Sequence, residues 1–153
     1  MKTGKDTYYV KSGSEPYADF TTKWNGLAVL SIENFMGHGE PKGIFMQEWV
    51  DSDEADIIIP DKVLFKTAEV NLNFIVRDFH DRTVDVILTH ENFINYMTSR
   101  KVNIKSLYVN MENTFVCLKE YNPTNVVVNR GAGSNYIMGT LTLTKVNGSN
   151  TII

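Results

Sequence analysis

The chain has 153 residues, of which 42% are hydrophobic and 22% are charged, with 15 Lys and Arg against 18 Asp and Glu. A chain of this size can form a core without a disulfide or a metal, and its single cysteine, Cys117, cannot form an internal disulfide bond. The net charge of -3 argues against a nucleic-acid binder that neutralises phosphates and against a polybasic membrane anchor. Because the sequence has neither an apolar signal-peptide segment nor the ~20 apolar residues of a membrane-spanning helix, we expect a soluble protein without a signal peptide.

The first 25 residues mix Gly, Ser, Pro and charged residues with scattered aromatics, and only Thr7 to Lys11 favours a strand. At Gly26 the composition changes to an apolar, partly β-branched run. We therefore predict an extended N-terminal arm over residues 1–25 and a single β-rich domain over residues 26–153.

The first two strands of that domain are predicted at residues 27–32 and 43–50. An acidic run follows at residues 51–56, and its three aspartates are Asp51, Asp53 and Asp56. Their spacing does not match a calcium-binding loop. With Asp51 as position one, Ala55 stands at position five, where a ligand is needed, and Lys62 replaces the final bidentate glutamate. The run is predicted to be a solvent-exposed loop without a metal.

In residues 68–76 apolar side chains occupy every second position and Glu or Asn fill most of the others, which predicts a half-buried strand. Residues 83–88 are rich in β-branched side chains and predict another strand. From Thr89 the period becomes helical, since Phe93, Tyr96 and Met97 fall at i, i+3 and i+4. We predict one helix at about residues 90–100, with Thr89 as its N-cap and Arg100 and Lys101 in its last turn.

Four further strands are predicted after the helix, at residues 102–109, 114–121, 125–129 and 136–146, with turns between them. In the last of these, Ile137, Leu141 and Leu143 share one face with Gly139, which permits a bend, and threonines occupy the other face. The pattern predicts a mainly β fold: an antiparallel β-sandwich or partly closed barrel with one flanking α-helix.

No set of residues predicts catalysis, a metal or a cofactor. His38, His80 and His90 lack the spacing of metal-binding histidines. Cys117 stands among apolar residues of a predicted strand, which is typical of a buried core cysteine. The glycine-rich stretch 130–135 lacks both the phosphate-binding lysine and a following helix. We expect a protein that is not an enzyme, although a pocket that brings His80 or His90 near distant carboxylates stays an alternative.

Aromatic and acidic side chains are the candidate interface. These residues are Tyr8, Tyr9, Tyr17, Phe20, Trp24, Trp49, Asp51, Asp53 and Asp56. Aromatic side chains provide large contact areas with one polar atom, which suits protein association. The alternative is a ligand-binding β-sandwich, such as a carbohydrate-binding module that uses Trp24 and Trp49.

The order of elements resembles the tail-tube fold of phage tail tube proteins, distal tail proteins and type VI secretion tube proteins. The similar part spans roughly residues 26–146: strand 84–88, helix 91–100, and the strand pair 105–109 and 114–121. The opening Trp24-Asn25-Gly26-Leu27 also looks like that of distal tail proteins. The arm at 1–25 and the acidic run at 51–56 depart from the family pattern, so the particular tail component stays open.

The resemblance implies a non-enzymatic subunit that assembles with itself into a hexameric ring and contacts other tail or baseplate proteins. It further implies a location in the virion after synthesis in the bacterial cytoplasm, without membrane insertion. DNA would at most pass through the lumen, and a net negative wall keeps such a polyanion from binding.

Overall fold

The computed structural model describes residues 8–42, 45–47, 56–58, 64–146 and 150–152. The strands are β1 (Tyr8–Lys11), β2 (Ala18–Asp19), β3 (Leu27–Glu33), β4 (Pro41–Lys42), β5 (Phe45–Gln47), β6 (Asp56–Ile58), β7 (Leu64–Phe65), β8 (Ala68–Arg77), β9 (Val102–Ser106), β10 (Met111–Val116), β11 (Pro123–Val127), β12 (Tyr136–Lys145) and β13 (Thr151–Ile152). The helices are α1 (Phe20–Lys23) and α2 (Val86–Thr98). No helix within the described ranges is long and apolar enough to cross a membrane.

Nine of the strands form one antiparallel sheet in the order β2-β1-β9-β10-β12-β8-β3, with β11 added to β12 and β13 added to β10. Strand β12 organises this sheet because it pairs along its whole length with β8, from Tyr136↔Arg77 to Lys145↔Ala68. Its first half also pairs with β11, and its last residues pair with β10. The sheet is open and α2 flanks it, so the predicted β-sandwich with one flanking helix is confirmed.

The hydrophobic core is built on the two longest strands, in which buried side chains occupy every second position. In β8 every second side chain is buried, from Ala68 to Val76, as predicted. In β12 the buried face includes Ile137, Leu141 and Leu143, again as predicted. Helix α2 covers this apolar surface, and its Phe93 ring lies 4.8 Å from the Phe74 ring in an edge-on contact.

The helix begins earlier than predicted. The Asp85 carboxylate accepts a hydrogen bond of 3.1 Å from the Leu88 N–H, which makes Asp85 the N-cap, and the helix starts at Val86. The predicted strand at 83–88 and the predicted N-cap at Thr89 are therefore wrong. The predicted last turn is also displaced, because Arg100 and Lys101 follow the helix end at Thr98.

The turn after β9 comes earlier in the chain than the sequence predicts. Strand β9 ends at Ser106, residues 107–110 form the turn, and β10 already begins at Met111. Asn110 has a φ of 54°, a backbone conformation that asparagine tolerates better than most residues. The predicted turn at residues 111–113 and the predicted strand 114–121 are therefore wrong in their boundaries.

The described part of the predicted arm lies on the main sheet. Strand β1 pairs antiparallel with β9, with Val10 opposite Ile104. Val10, Phe20 and Trp24 are all buried. These residues hold the segment on the domain, while the division at residue 25 stays a prediction.

Between β3 and β8 the chain forms two further antiparallel ladders that are separate from the nine-stranded sheet. Strand β4 pairs with β7, and β5 pairs with β6, so the ladders are nested as in a hairpin. We call residues 41–65 the hairpin segment. The predicted strand at 43–50 coincides with β5 at Phe45–Gln47. The predicted loop lies outside the described residues except for Asp56, which begins β6 opposite Gln47 and is therefore in a strand.

Candidate assembly surface

Two clusters of cations and aromatic rings lie on the part of the domain that β1, β9 and the end of α2 form. In the first cluster, the Tyr17 ring lies between two lysines, with Lys11 Nζ 5.1 Å and Lys105 Nζ 4.4 Å from the ring centroid. Lys105 Nζ also lies 5.4 Å from the Tyr9 ring centroid. Cations in this position are attracted to the negative face of the ring. Burial, together with the neighbouring Glu112 carboxylate, raises the pKa of the Tyr17 hydroxyl.

The second cluster surrounds Tyr96 on α2. Lys23 Nζ lies 4.6 Å and Arg100 Cζ 4.5 Å from the centroid of the Tyr96 ring. The Tyr96 hydroxyl donates a 2.7 Å hydrogen bond to Glu15. Burial and this carboxylate raise the pKa of Tyr96 to about 12, while the hydrogen bond lowers the pKa of Glu15. The cluster therefore fastens residues 15–23 to the helix.

The chain between these clusters also connects them. Ser12 Oγ donates a hydrogen bond of 3.0 Å to the Lys101 carbonyl, and Ser12 N–H donates one of 3.2 Å to the Glu15 carboxylate. Lys11 lies directly opposite Asn103 in the β1–β9 ladder. The two clusters are therefore joined by one short stretch of chain.

A third feature is the polar outer face of strands β3, β8 and β12. Thr140 Oγ1 donates to Asn73 Oδ1 at 2.6 Å, and the Asn73 amide donates to Ser31 Oγ at 2.9 Å. Two residues further along β12, Thr142 Oγ1 donates to Asn71 Oδ1 at 3.1 Å. The sequence predicted this threonine face on β12, and its partners turn out to be asparagines of β8.

The structure places the nine candidate interface residues in three different settings. Phe20 and Trp24 are buried, at 2% and 7% exposure. Tyr8, Tyr9 and Tyr17 are half-buried at the surface of the β1 region. Asp56 lies in the hairpin segment. The other three, Trp49, Asp51 and Asp53, lie outside the described residues.

Burial of Trp24 bears on the carbohydrate alternative. The Trp24 ring makes edge-on contacts with Phe93 at 5.0 Å and with Tyr96 at 5.1 Å. Its faces are therefore used inside the chain, and the ring is not available to stack on a sugar.

Three buried polar side chains were not predicted from the sequence. Asp78 accepts hydrogen bonds from the backbone and side chain of Asn135, at 2.9 and 3.0 Å, and from Gly133 N–H at 3.2 Å. Lys145 is fully buried, and its ammonium group donates to the Phe35 and Gly37 carbonyls at 2.8 and 2.5 Å. It also donates to Asn150 Oδ1 at 2.6 Å, and burial lowers its pKa.

The third is His90, which lies under Tyr121. His90 Nε2 is 2.8 Å from the Tyr121 hydroxyl, and His90 Nδ1 is 3.3 Å from Glu91 Oε1. Burial, with a smaller contribution from Glu91, raises the pKa of Tyr121 to about 12. The arrangement holds the segment between β10 and β11 on the helix. Its only sequence signal is the i, i+4 and i+7 spacing of Val86, His90 and Phe93, which places the histidine on the apolar face of α2.

The remaining candidates for chemistry are spread over the surface. His80 and Asp81 line a cavity of about 150 Å³ with Arg77. Asp81 accepts hydrogen bonds from Thr83 and Asn25, and these lower its pKa, so it acts as an ionised acceptor within a turn. Cys117 is half-buried, and burial raises the pKa of its thiol, as expected of a packing residue. His38 lies 3.4 Å from the Asn150 amide nitrogen.

Comparison with known proteins finds similarity at the level of the fold. No family model matches the sequence, and no curated protein matches it. Among solved structures, the fold is similar to that of the Dit protein (gp 19.1) of phage SPP1, described as a paradigm of the hub adsorption apparatus in phages that infect Gram-positive bacteria. The TM-score is 0.52, the identity is 13%, and the match covers 96% of this chain and 53% of the Dit chain. This chain therefore has a fold similar to that of a phage hub protein and spans about half the length of that protein.

Proposed function

We propose that the protein is a structural, non-enzymatic subunit of a phage tail or a related injection machine, and that it assembles with itself into a ring. The observation that carries the proposal is the likeness to the SPP1 hub protein over 96% of the chain. Six copies per ring is the number that the resemblance to the tail-tube fold implies. The partners in this proposal are further copies of the chain and other tail or baseplate proteins within the virion.

The sheet has features that support self-association. Among the described strands, β3 pairs only with β8, and β11 pairs only with β12, so each has one side free of a strand partner. Strands with an unpaired side can accept a strand from a neighbouring subunit, because their N–H and C=O groups are already aligned. The hairpin segment supplies strands that stand apart from the main sheet in its own chain.

The polar outer face suits a wall past which DNA moves. The side chains that bond across β3, β8 and β12 are the amides and hydroxyls of Ser31, Asn71, Asn73, Thr140 and Thr142, together with the Glu33 carboxylate, which accepts a hydrogen bond of 3.2 Å from Asn73. Amides, hydroxyls and a carboxylate do not attract phosphates as lysine or arginine would. In our proposal DNA passes such a surface without being bound.

The test is the mass of the purified protein by multi-angle light scattering across a wide concentration range, with negative-stain images of each large species. Rings or stacked rings are the expected result. A particle that keeps the mass of one 17.4 kDa chain at every concentration, alone and with a partner baseplate protein, would refute the proposal.

A further inference from the structure

Lys145 is the most deeply buried charged side chain in the part of the chain that the structure describes, with none of its surface exposed. Its ammonium group donates to three oxygens: the Phe35 carbonyl, the Gly37 carbonyl and Asn150 Oδ1. An ammonium has three N–H bonds, so these three acceptors account for all of them. Each acceptor is a neutral oxygen. A buried charge that is balanced only by neutral acceptors is costly to keep.

The side-chain amide of Asn150 is held in one orientation beside this lysine. Its Oδ1 accepts hydrogen bonds from Lys145 Nζ at 2.6 Å and from Asn113 Nδ2 at 3.2 Å. Its Nδ2 donates to the Met36 carbonyl at 2.7 Å and lies 3.4 Å from His38 Nε2. The carbonyl of the amide therefore faces the lysine, and the nitrogen of the amide faces the histidine.

Strand β10 holds both side chains in place. Lys145 ends β12 and lies opposite Phe115 of β10. Thr151, which begins β13, donates a backbone hydrogen bond of 3.2 Å to Asn113 Oδ1 on the same strand. Asn150 precedes Thr151 and is thereby fixed next to the end of β12. An amine and a carbonyl that the fold keeps at such short distance react far faster than they do in free solution.

We infer that Lys145 and Asn150 become joined by an isopeptide bond within each chain. Lys145 Nζ attacks the side-chain carbonyl carbon of Asn150, a new C–N bond forms, and the bond from that carbon to Nδ2 breaks. The lysine nitrogen gives up two protons and the leaving nitrogen gains two. One ammonium side chain and one carboxamide thus become one secondary amide and one free ammonium ion. The reaction needs no oxidant and no second substrate.

The neighbouring groups suit the separate parts of this reaction. Burial lowers the pKa of Lys145, which favours the neutral amine that can attack a carbonyl. Asn113 Nδ2 is positioned to stabilise the negative charge that develops on Asn150 Oδ1. His38 is exposed and lies beside the leaving nitrogen, so it can deliver a proton there and the ammonium ion can leave to solvent.

The product is favoured because it removes the charge from the interior of the protein. The bond ties the end of β12 to the residue before β13, and so keeps β13 on β10. It forms within one chain, so it does not depend on the assembly of a ring. It also forms once in each chain, which is not the turnover of an enzyme.

Mass spectrometry of the denatured full-length chain tests the inference. The intact mass should be lower than the sequence mass by one ammonia, about 17 Da. Trypsin does not cleave after a lysine whose side chain is acylated. The linked chain should therefore give residues 131–153 as one peptide, whereas an unlinked chain gives 131–145 and 146–153.

Variants identify the two reacting groups. Lys145→Met and Asn150→Ala should both have the full sequence mass, and Asn150→Ala should again be cleaved after Lys145. Lys119→Met is the matched control, because it removes an exposed lysine, and it should be linked as fully as wild type. Circular dichroism identifies any variant that has lost its fold, and Asn150→Ala gives the same test if Lys145→Met does not fold.

The role of His38 is tested by rate. After synthesis in a cell-free reaction, His38→Gln should link about 100-fold more slowly than wild type, since glutamine can hydrogen-bond to the amide but cannot transfer a proton. A variant that links at the wild-type rate would overturn the role given to His38.

Three results would overturn the bond itself. The first is a wild-type chain that keeps its full mass as purified and after prolonged incubation. The second is a loss of ammonia that lies in peptide 146–153 while Lys145 is still cleaved, because that places a succinimide at Asn147-Gly148 instead. The third is a linked peptide that persists in folded Asn150→Ala.

Discussion

The substitution Gly139→Ala tests the packing between β12 and the segment before β11. A Cβ atom at position 139 would lie 2.9 Å from the Cε1 and Cζ atoms of Tyr121, and closer still to its hydroxyl. The β12–β8 register runs through Gly139 without interruption. The glycine is therefore needed for the close approach of the tyrosine ring, whereas the sequence suggested a bend.

The expected cost follows from what Tyr121 contacts. Its hydroxyl bonds to the buried His90, and its ring centroid lies 6.0 Å from that of Phe74. Displacing the ring leaves a buried nitrogen without its partner, at about 1–3 kcal/mol, and loses ring packing of about 0.5–1.5 kcal/mol. Replacing glycine in a strand regains about 0.5–1 kcal/mol. The net prediction is a loss of about 0.5–4 kcal/mol, opposite in sign to the strand preference of alanine.

Urea unfolding followed by tryptophan fluorescence measures this free energy. Gly131→Ala is the matched control, because a Cβ atom there has no heavy atom within 4 Å, and it should change stability by less than about 0.5 kcal/mol. In a Tyr121→Ala background the clash is absent, so Gly139→Ala should then raise the free energy of unfolding by about 0.5–1 kcal/mol. A Gly139→Ala protein as stable as wild type, or the same cost in both backgrounds, would refute this account of the packing.

Three further predictions concern capping and ionisation. Asp85→Ala should lose about 1 kcal/mol of unfolding free energy and Thr89→Ala distinctly less, and a larger loss for Thr89→Ala would contradict the N-cap assignment. Burial raises the pKa of Asp78, but hydrogen bonds from Asn135 and Gly133 lower it by more, so the ionised carboxylate stabilises the fold at neutral pH and this effect is lost as pH falls through the folded-state pKa. Thermal melts should therefore show Asp78→Asn less stable than wild type at neutral pH and similar to it in acid. A stability difference that persists in acid would be inconsistent with this assignment. With its pKa raised to about 12, Tyr121 stabilises the fold below pH 10 and loses that effect as pH rises from about 10 to about 12, so the stability difference between wild type and Tyr121→Phe should shrink over that range.

Alternation made the two long strands predictable. In β8 and β12 one face is buried and the other is mostly half-buried, so the period of two is visible without any knowledge of partners. The apolar stripe of α2 was visible for the same reason. The start of the helix was missed because Val86 and Ile87 are β-branched, strand-favouring residues, and the Asp85 cap outweighs that local preference.

The candidate surface was only partly predictable. Aromatic composition pointed to Tyr9 and Tyr17, but it could not separate them from Phe20 and Trp24, which face the core. The difference depends on β1 pairing with β9, about 90 residues away in sequence, and local pattern carries no information on such a pairing. The buried ammonium of Lys145 was hidden for a related reason, because its partner carbonyls come from the segment after β3.

Native mass spectrometry of the purified chain, over a range of concentration at low salt, tests ring formation itself. We expect one dominant closed assembly at six times the 17.4 kDa of a single chain. A spectrum that contains only the single chain at every concentration would contradict the claim that this protein is a ring-forming structural subunit.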